Sequence, residues 1–516
     1  MALVELLERR RLERPGDDFL YAGGETWSAA RLADRADACA AALAAAGVRR
    51  GHHVALMLEN SADFLACFFG VAKLGAVAVT LNPALRGDTL AYILDHSDAR
   101  VLVLEGELAS AAAAAIDGAS RLETVWARGC GAGHVALEEQ LDGRRAAPEP
   151  VERGPGECTA ILYTSGTTGR PKGVMLTDYG YERASRWFVE GLRLSEEDVL
   201  HTCLPLFHVN AQQLSLCGAL TCGARLALDR RFSASGFWRS ISEYGVTSFN
   251  LIGAMLGILH AQAPRREECA HRARVACVSP VPAAIYRECE ERFGVMLLDG
   301  YGLTETTPGN TYNPYGQARE GSCGKPAPYI ELCIAAEEGE PLPPRTPSEI
   351  LIRAKEPNVF MLGYYKDREA TERAFQGGWF RTGDRGYLDE DGYLYFLDRL
   401  KDVIRRRGEN ISPVEIERAV LAHPHVAEAA AVGVPSDLVG GEEEIALFIL
   451  ARPGIDLDPR SVLAVCEERL AAFMVPRYLG VLDEFPRTET QRVQKFALRE
   501  RGPEGCFDRT ARAGTS

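Results

Sequence analysis

The chain has 516 residues, which is too long for a single hydrophobic core, so we expect two or more domains. Hydrophobic residues make up 46% of it and charged residues 25%, which is the ordinary composition of a globular enzyme. Its 58 Lys and Arg residues against 72 Asp and Glu residues give a net charge of −14, which argues against nucleic acid or an anionic membrane as the principal partner.

The start of the chain and its cysteines bear on where the protein resides. Residues 1–11 are charged and lack the apolar core of a signal peptide, and no uninterrupted apolar stretch is long enough to span a membrane. The 14 cysteines include no CxxC pair, so they suggest neither a zinc site nor a disulfide framework. We therefore predict a cytoplasmic protein without a transmembrane segment.

The first 150 residues alternate between helical and strand patterns. The pattern predicts helices over residues 28–46, 61–74 and 109–115 and strands over residues 53–58, 76–81 and 101–104. Ser61 is the expected N-cap of its helix, the alanine run at 109–115 is expected to be exposed, and residues 131–156 read as a loop. This alternation predicts an α/β fold, with a mostly parallel sheet and helices on both faces.

A loop rich in glycine and hydroxyl side chains follows an apolar strand over residues 159–162. Its candidate phosphate ligands are Thr164, Ser165, Gly166, Thr167, Thr168 and Lys172. Glycines let backbone N–H groups turn inward, the hydroxyls add donors, and Arg170 and Lys172 add positive charge, a combination suited to a polyphosphate. Such clusters seen alone are more often surface turns. The Walker A spacing is excluded, because Pro171 stands where that motif needs glycine.

The loop resembles the phosphate loop of the adenylate-forming superfamily, which includes acyl-CoA synthetases, peptide-synthetase adenylation domains and firefly luciferase. The resemblance runs from about residue 20 to residue 500 and is strongest to the crotonobetaine/carnitine-CoA ligase-like branch, through PLFHVNA at 205–211, GEN at 408–410 and FMVPRY at 473–478. It implies a large domain over residues 1–400, of mostly parallel sheets flanked by helices with a small β-barrel-like part. It also implies a small mobile α+β domain over residues 401–516.

The resemblance implies a nucleotide site built from separate segments. The candidate contacts on the adenine and ribose side are Ser279, Asp299, Gly300, Tyr301, Gly302, Thr304, Asp384 and Arg399. Tyr301 would stack on adenine, Thr304 would contact the α-phosphate, and Glu305 would bind Mg²⁺, since a carboxylate beside a triphosphate needs a divalent cation. Asp384, expected in a tight turn, would accept from both ribose hydroxyls. The segment that contains Ser279 departs from the family pattern, because residues 278–280 are Val-Ser-Pro where relatives usually have Gly-Gly-Ala.

The resemblance also implies an acyl pocket. A single histidine at the end of an apolar strand, as predicted for His208, is by default a satisfied core residue, but His208 matches a residue that lies between the acyl pocket and the ATP site and acts as a gate. The expected pocket residues are His208, Phe249, Asn250, Gly253, Ala254 and Gly302. Amino-acid-activating relatives usually carry aspartate in place of His208. His208 therefore argues against an α-amino acid. The segment at 249–255 carries no charge, which favours an uncharged acid. Gly253, Ala254 and Gly302 suggest a roomy, apolar pocket for an aromatic, alicyclic or medium-chain acid.

The C-terminal segments imply a second half-reaction. Lys401 stands where relatives have the hinge residue, and Gly408 and Glu409 would be presented to the thiol after the small domain rotates. Arg405, Arg406 and Arg407 either contact the phosphates of CoA or of a phosphopantetheinyl carrier protein, or narrow the pantetheine tunnel. Relatives have a lysine in place of Arg492, and that lysine steers the carboxylate during adenylation. Either Arg492 substitutes, or Lys495 reaches in, or adenylation is weak and a partner supplies the acyl-adenylate.

Together these residues predict an acid–thiol ligase that uses ATP, Mg²⁺ and CoA. A carboxylate would attack the α-phosphorus of ATP, and a thiol would then attack the acyl-adenylate. Two alternatives remain: a ligase that loads an acyl carrier protein, and a half-reaction enzyme with impaired adenylation. The expected partners are a carboxylic acid and CoA or a carrier protein, and the chain is a candidate homodimer.

Overall fold

We describe a computed structural model over residues 3–129, 133–142, 148–164, 170–281, 283–336, 339–399, 403–436, 442–452, 454–486 and 493–511, with the backbone alone at 284, 398 and 399. The α-helices of these ranges are α1 (Leu3–Glu13), α2 (Ala29–Ala45), α3 (Ala62–Lys73), α4 (Gly87–His96), α5 (Ala109–Gly118), α6 (Leu137–Asp142), α7 (Asp178–Leu192), α8 (Cys217–Cys222), α9 (Phe237–Glu243), α10 (Gly253–His260), α11 (Tyr286–Phe293), α12 (Arg368–Ala374), α13 (Pro413–Val420), α14 (Pro459–Arg469) and α15 (Lys495–Arg501).

The strands are mostly short, and several are buried runs of Val, Leu, Ile and Ala. They are β1 (Asp18–Ala22), β2 (Glu25–Ser28), β3 (His53–Met57), β4 (Val77–Thr80), β5 (Ala99–Glu105), β6 (Thr124–Arg128), β7 (Val135–Ala136), β8 (Cys158–Thr164), β9 (Lys172–Thr177), β10 (Val199–Thr202), β11 (Arg225–Leu228), β12 (Ser248–Ile252), β13 (Val275–Ser279), β14 (Met296–Leu298), β15 (Gly300–Tyr301), β16 (Thr311–Tyr312), β17 (Lys325–Pro326), β18 (Ile330–Ala335), β19 (Ser348–Ala354), β20 (Gly363–Tyr364), β21 (Phe375–Gln376), β22 (Trp379–Leu388), β23 (Leu394–Arg399), β24 (Ile404–Arg406), β25 (Glu409–Ile411), β26 (Val426–Pro435), β27 (Glu443–Ala451), β28 (Tyr478–Leu482) and β29 (Phe507–Asp508).

Two large sheets form the body of the protein. One has the order β20-β9-β8-β4-β3-β5-β6-β7 and is parallel from β8 to β7. The other has the order β14-β13-β12-β10-β11-β1-β2 and is parallel except for β2. Strands such as β4 are buried along their whole length, as expected for parallel sheets with helices on both faces. The predicted α/β class is confirmed.

A layer of helices lies between the two sheets. The largest hydrophobic core joins Leu32 of α2, Phe68 of α3 and Phe188 of α7 to Val54 of one sheet and Leu226 of the other. The helix predicted from residue 61 begins where the sequence indicates. The Ser61 hydroxyl accepts from Phe64 N, and this predicted N-cap is confirmed. None of the helices in the described ranges combines the length and apolar composition that a membrane span requires.

The later part of the chain adds antiparallel sheets. Strands β18, β19, β22, β21 and β23 form a five-stranded sheet in the region where a barrel-like part is implied, and β15, β16 and β17 form a small sheet. From residue 403 onward, α13 and α14 pack on strands of the β26-β27-β28-β29 sheet around a separate hydrophobic core. We call this part the small domain. The predicted boundary at residues 400 and 401 lies outside the described residues and stays a prediction.

Two local predictions are wrong. The helix at 109–115 is not fully exposed, since Ala109, Ala112 and Ala115 of α5 are buried in a hydrophobic core. Residues 131–156 are not only a loop, since they contain β7 and α6. The spacing of Leu137 and Leu141, both buried, is the helical signal that the Gly-rich composition around it obscures.

Candidate active site

The predicted phosphate loop connects two antiparallel strands. β8 ends at Thr164, β9 begins at Lys172, and these two residues are paired across the hairpin. The predicted strand before the loop is confirmed. The other predicted phosphate ligands, at positions 165 to 168, lie outside the described residues. The ends of the loop therefore bring a hydroxyl and an ammonium to the same place.

A tyrosine connects Lys172 with the predicted magnesium ligand. Tyr364 in β20 donates a hydrogen bond of 3.0 Å from its hydroxyl to Glu305 Oε1, and Lys172 Nζ lies 4.9 Å from the Tyr364 ring centroid. Met361 N donates to the Glu305 carbonyl at 2.9 Å and holds the short 3₁₀ turn that begins at Thr304. Burial and the nearby Glu305 charge raise the pKa of Tyr364, so its hydroxyl remains a donor.

This donor set fits a nucleotide polyphosphate with Mg²⁺. Mg²⁺ is usually held by one or two carboxylates together with phosphate oxygens and water, and Glu305 supplies a carboxylate. Lys172 adds positive charge and Thr304 adds a hydroxyl. Within the described ranges, no three His, Cys, Asp or Glu side chains converge into a metal site. Glu305 would be the protein's carboxylate ligand if a magnesium ion accompanies the nucleotide.

The predicted adenine and ribose residues also meet. The Tyr301 hydroxyl donates to Asp384 Oδ2 at 2.7 Å, and both residues are buried. Asp384 pairs with Arg399 between β22 and β23, although the Arg399 side chain is not among the described atoms. Tyr301 lies four positions before Glu305, so one short segment carries both the residue that contacts Asp384 and the residue that contacts Tyr364. We call the region from Lys172 through Tyr364 and Glu305 to Asp384 the crevice, and the phosphate and ribose contacts are predicted there.

The predicted tight turn at Asp384 is wrong. Asp384 lies inside β22, a strand of ten residues, at a bulge where the register with β19 shifts. Gly383 has a φ of 70°, which glycine adopts without strain and which lets the strand bend at this point. A bulge redirects a side chain while the sheet continues. The same Gly-Asp sequence that suggests a tight turn is therefore also compatible with a bulged strand.

Asp299 and Ser279 have internal partners. Asp299 Oδ2 accepts from Val281 N at 2.8 Å and Oδ1 accepts from Gly300 N at 2.7 Å, and the Ser279 hydroxyl donates to the Gly300 carbonyl. Burial raises the pKa of Asp299 to about 7 in spite of these hydrogen bonds. These residues hold the β13 and β15 segments together, so the structure gives them a positioning role beside the predicted adenine site.

The predicted acyl-pocket residues divide between two environments. Phe249 is buried among Phe237 and Trp238, with ring centroids 5.3 and 6.1 Å away, and so belongs to a hydrophobic core. Asn250 points to the opposite face of β12, as strand alternation requires, and donates to Asn210 Oδ1 and Ser215 Oγ at 3.1 Å each. Strand β12 therefore presents Asn250, but not Phe249, to the segment that carries His208.

The remaining predicted pocket residues are Gly253, Ala254 and Gly302, which are all small. Gly253 and Ala254 begin α10 and are buried directly after β12. A Cβ on Gly302 would lie 2.4 Å from Gly309 N and 2.9 Å from Pro308 Cα. Close approach of two backbone segments explains Gly302, whereas room for a substrate was the predicted reason.

His208 lies two residues before a π-helix. It is not at a strand end as predicted, because β10 ends at Thr202 and a π-helix follows over Asn210–Leu216. Its Nε2 lies 3.1 Å from Glu409 Oε1 of the small domain, although its side chain keeps 42% of its surface exposed. Burial lowers the pKa of His208, but the charge and hydrogen bond of Glu409 outweigh it and raise the pKa above the usual value. This pair therefore joins the small domain to the predicted acyl pocket.

Glu409 belongs to a hairpin whose tip requires glycine. β24 and β25 are joined by Arg407 and Gly408, whose φ angles of 52° and 82° are typical of a type I′ turn. A Cβ on Gly408 would lie 2.3 Å from Ile252 Cδ1, at the end of β12. Arg407 is exposed at the tip. The hairpin thus fits closely against the strand that carries Asn250.

Three consecutive glutamates hold the hairpin from the other side. Glu442 Oε1 accepts from Gly408 N at 3.2 Å, and Glu443 Oε2 accepts from Arg405 N at 3.1 Å. Glu444 pairs with Arg406 at 2.7 Å, and Arg406 also donates to the carbonyls of residues 473 and 475. Arg406 is only 3% exposed, so the hypothesis that it meets the phosphates of an acceptor is wrong.

Two models of known families match most of the chain. The model described as AMP-binding enzyme matches residues 7–365, and that described as AMP-binding enzyme C-terminal domain matches residues 415–492. The chain belongs to the AMP-binding enzyme family. The resemblance stated from the motifs is therefore confirmed.

Curated relatives of this AMP-binding enzyme are named CoA ligases. A probable CoA ligase CCL9 of Humulus lupulus is 34% identical, with 97% of this chain and 94% of the relative covered. An oxalate–CoA ligase of Arabidopsis thaliana is 34% identical, with coverage of 90% and 91%. A crotonobetaine/carnitine–CoA ligase of Salmonella typhi is 33% identical, with coverage of 88% and 89%.

Solved structures share the fold over nearly the whole chain. A variant of o-succinylbenzoate CoA synthetase from Bacillus subtilis, bound with its product analogue OSB-NCoA, has a TM-score of 0.85 at 28% identity, covering 96% of this chain and 98% of that one. The anthranilate CoA ligase AuaEII in complex with anthranoyl-AMP has a TM-score of 0.75 at 28% identity, with 97% of each chain covered.

Several predicted residues of this family member stay untested, and the sequence analysis missed two features of the site. Lys401 and Arg492 lie outside the described residues, and Lys495 Nζ lies 2.7 Å from Glu417 of α13. Sequence reasoning missed Tyr364, whose only signal is a short Gly-Tyr-Tyr run after a turn. It also missed the acidic run at 442–444, because a run of charges is by itself typical of a solvated loop.

Proposed function

We propose that this enzyme is an ATP-dependent acyl-CoA synthetase that activates an uncharged carboxylic acid as an acyl-adenylate and transfers the acyl group to CoA. Relatives at about a third identity over most of the chain are named CoA ligases, which makes it an AMP-forming acid–thiol ligase. The observation that carries the proposal is the contact of Glu409 with His208, since it brings a hairpin of the small domain to the predicted acyl pocket.

In the first half-reaction the acid's carboxylate attacks the α-phosphorus of ATP, and pyrophosphate leaves. The divalent ion, held by Glu305, would offset phosphate charge in the transition state. Lys172 and the loop at 164–168 would hold the phosphates in line, Thr304 would contact the α-phosphate, and Asp384 would bind the ribose. Little covalent chemistry falls to the protein, so placement and charge supply the rate.

In the second half-reaction a thiol attacks the acyl carbonyl, and AMP leaves. Gly408 and Glu409 would line the approach of the thiol, because the hairpin tip lies against Ile252 and His208. The contact between Glu409 and His208 supports a domain arrangement suited to thioester formation. Exposed Arg407 would meet the phosphates of the acceptor.

The described pocket favours an uncharged acid. The side-chain amide of Asn250 donates hydrogen bonds to Asn210 and Ser215, so these polar groups have partners within the protein. The imidazole of His208 is already paired with Glu409, which leaves it poorly suited to a second carboxylate of the substrate. The acyl part of the substrate is therefore proposed to be an uncharged aromatic, alicyclic or medium-chain group.

A second candidate function rests on Arg492. Arginine in place of the usual lysine keeps the charge but not the shape, so adenylation would be impaired and the enzyme would act mainly in the second half-reaction. Lys495 is paired with Glu417 in this arrangement, and it would have to leave that partner to assist adenylation.

Two finer proposals accompany the function. The thirteen cysteines of the described ranges are free thiols, which suits a reducing compartment such as the cytoplasm. We also propose a homodimer, which light scattering on the purified protein tests directly.

ATP–pyrophosphate exchange across a library of carboxylic acids tests the proposal. Exchange with uncharged acids, followed by thioester formation with CoA, is the expected result. Thioester formation only with a phosphopantetheinylated carrier protein would identify a carrier-loading ligase. Transfer from a supplied acyl-adenylate without any exchange would establish the half-reaction enzyme, and the absence of both activities would refute the proposed class.

A further inference from the structure

The small domain meets the rest of the protein at a second place, away from the hairpin. Residues 84–89, which we call the docking segment, lead into the first turn of α4. Ala84 packs against the hydrophobic core of the small domain, and the Thr89 hydroxyl donates a hydrogen bond to Glu415 Oε1 in α13. Thr89 and Glu415 are 326 positions apart in the chain, so this contact depends on how the small domain is docked.

The backbone of the docking segment is shaped to this contact. Gly87 has a φ of 55°, which favours glycine, and its missing side chain makes room for the end of α14. A Cβ at this position would lie 2.6 Å from the carbonyl oxygen of Arg469 and 3.2 Å from its Cα. Those atoms are backbone and cannot swing aside, so any other residue at position 87 would push the small domain away.

The hydrogen bond between Thr89 and Glu415 is important because the Glu415 carboxylate is buried. Glu415 is only 8% exposed, and a buried carboxylate is costly without a hydrogen-bond donor. Thr89 supplies that donor from outside the small domain. The neighbouring ion pair of Asp88 with Arg469 spans 3.3 Å, but its side chains are 77% and 38% exposed, so it should contribute little.

We infer that the docking segment positions the small domain for thiol transfer, with Thr89 and Glu415 as positioning residues that hold the hairpin against His208. The inference deepens the proposed function and rests on it. If the small domain turns to serve adenylation, this hydrogen bond breaks and Glu415 gains water as its partner. The contact therefore favours the second half-reaction and leaves the chemistry of the first untouched.

Thr89→Val tests the inference, because valine keeps the shape and removes the hydroxyl. We expect thioester formation from preformed acyl-adenylate and CoA to slow about tenfold in single-turnover measurements. ATP–pyrophosphate exchange should keep the rate of the unaltered enzyme. Thr89→Ser should restore transfer, and Asp88→Asn is the matched control, which should leave both half-reactions unchanged.

Equal loss in both half-reactions with Thr89→Val, or transfer slowed as much by Asp88→Asn, would overturn the inference. Amide hydrogen exchange supplies a readout that needs no substrate. Thr89→Val should speed amide hydrogen exchange in Pro413–Val420 of the free enzyme, whereas Thr89→Ser should not. Amide hydrogen exchange that is unchanged in Thr89→Val would also overturn the inference. If no acid supports either half-reaction, the proposed function fails, and the hydrogen-exchange result still decides whether Thr89 docks the small domain.

Discussion

At the scale of single residues, the crevice depends on opposite charges placed on either side of one tyrosine. Lys172 lies by the ring of Tyr364, and Glu305 accepts from its hydroxyl, so the phenol keeps the ammonium and the carboxylate at a fixed separation. A polyphosphate with its metal ion needs both charges at once, the cation for the phosphate and the carboxylate for the metal. Replacing either charge should therefore affect adenylation first.

Glu305→Gln keeps the shape of the side chain and removes its charge. We expect ATP–pyrophosphate exchange to fall at least about 100-fold, since a preorganised charge at the transferring phosphoryl group is lost. Tyr364→Phe is the control, because it removes only the hydrogen bond to Glu305 and should slow exchange by about tenfold or less. Normal exchange by Glu305→Gln would refute the assignment of Glu305 as the magnesium ligand.

His208 should titrate differently when Glu409 loses its charge. In Glu409→Gln the raising influence disappears while burial still lowers the pKa, so the pKa of His208 should drop. In the unaltered enzyme the ion pair is complete below the usual histidine pKa and is lost as the pH rises through the raised value. NMR titration of labelled histidine measures both, and an unchanged His208 pKa in Glu409→Gln would contradict the pairing.

At the scale of elements, the β24–β25 hairpin is held from both sides. Its tip fits against Ile252, while Glu442 and Glu443 accept from its backbone and Glu444 pairs with Arg406. A hairpin of only three-residue strands is marginal by itself, so these contacts determine where its tip lies. The buried arginine is thus part of the support and not part of a phosphate site.

Arg406→Met should destabilise the small domain by about 3–5 kcal/mol, because Glu444 would remain buried without its partner. Amide hydrogen exchange in β26 and β27 measures this. The double variant Arg406→Met with Glu444→Met removes both charges and should recover much of the loss. If the single variant exchanges as slowly as the unaltered enzyme, the pair does not support the hairpin.

At the scale of the whole molecule, the two half-reactions make opposite demands on the small domain. Contacts at His208 and at Thr89 favour one docked arrangement. In that arrangement Lys495, three positions after Arg492 in the chain, is paired with Glu417 inside the small domain. Adenylation would need a rotation about the predicted hinge at Lys401, so that the Arg492 region replaces the hairpin at the crevice.

Lys401→Pro tests the hinge, because proline fixes φ and limits rotation at that residue. We expect the variant to lose most of one half-reaction while the other keeps its rate. Pyrophosphate exchange and single-turnover transfer from acyl-adenylate separate the two. Unchanged overall turnover would place the hinge elsewhere.

Local signals in the sequence were sufficient for many elements and for the family. The Ser61 cap, the short parallel strands and the strand before the phosphate loop depend on neighbours within a few positions, and the chain forms them as the patterns predict. Such features are determined by propensity, capping and periodicity, which act over short distances along the chain.

Only the tertiary structure decided which of these residues meet. The sequence does not reveal that Phe249 belongs to a core, that Arg406 is buried, or that Asp384 lies on a bulged strand. It also does not pair His208 with Glu409, residues separated by 201 positions. Contacts over such separations depend on how sheets and domains pack, and packing is a property of the whole chain that no single segment carries.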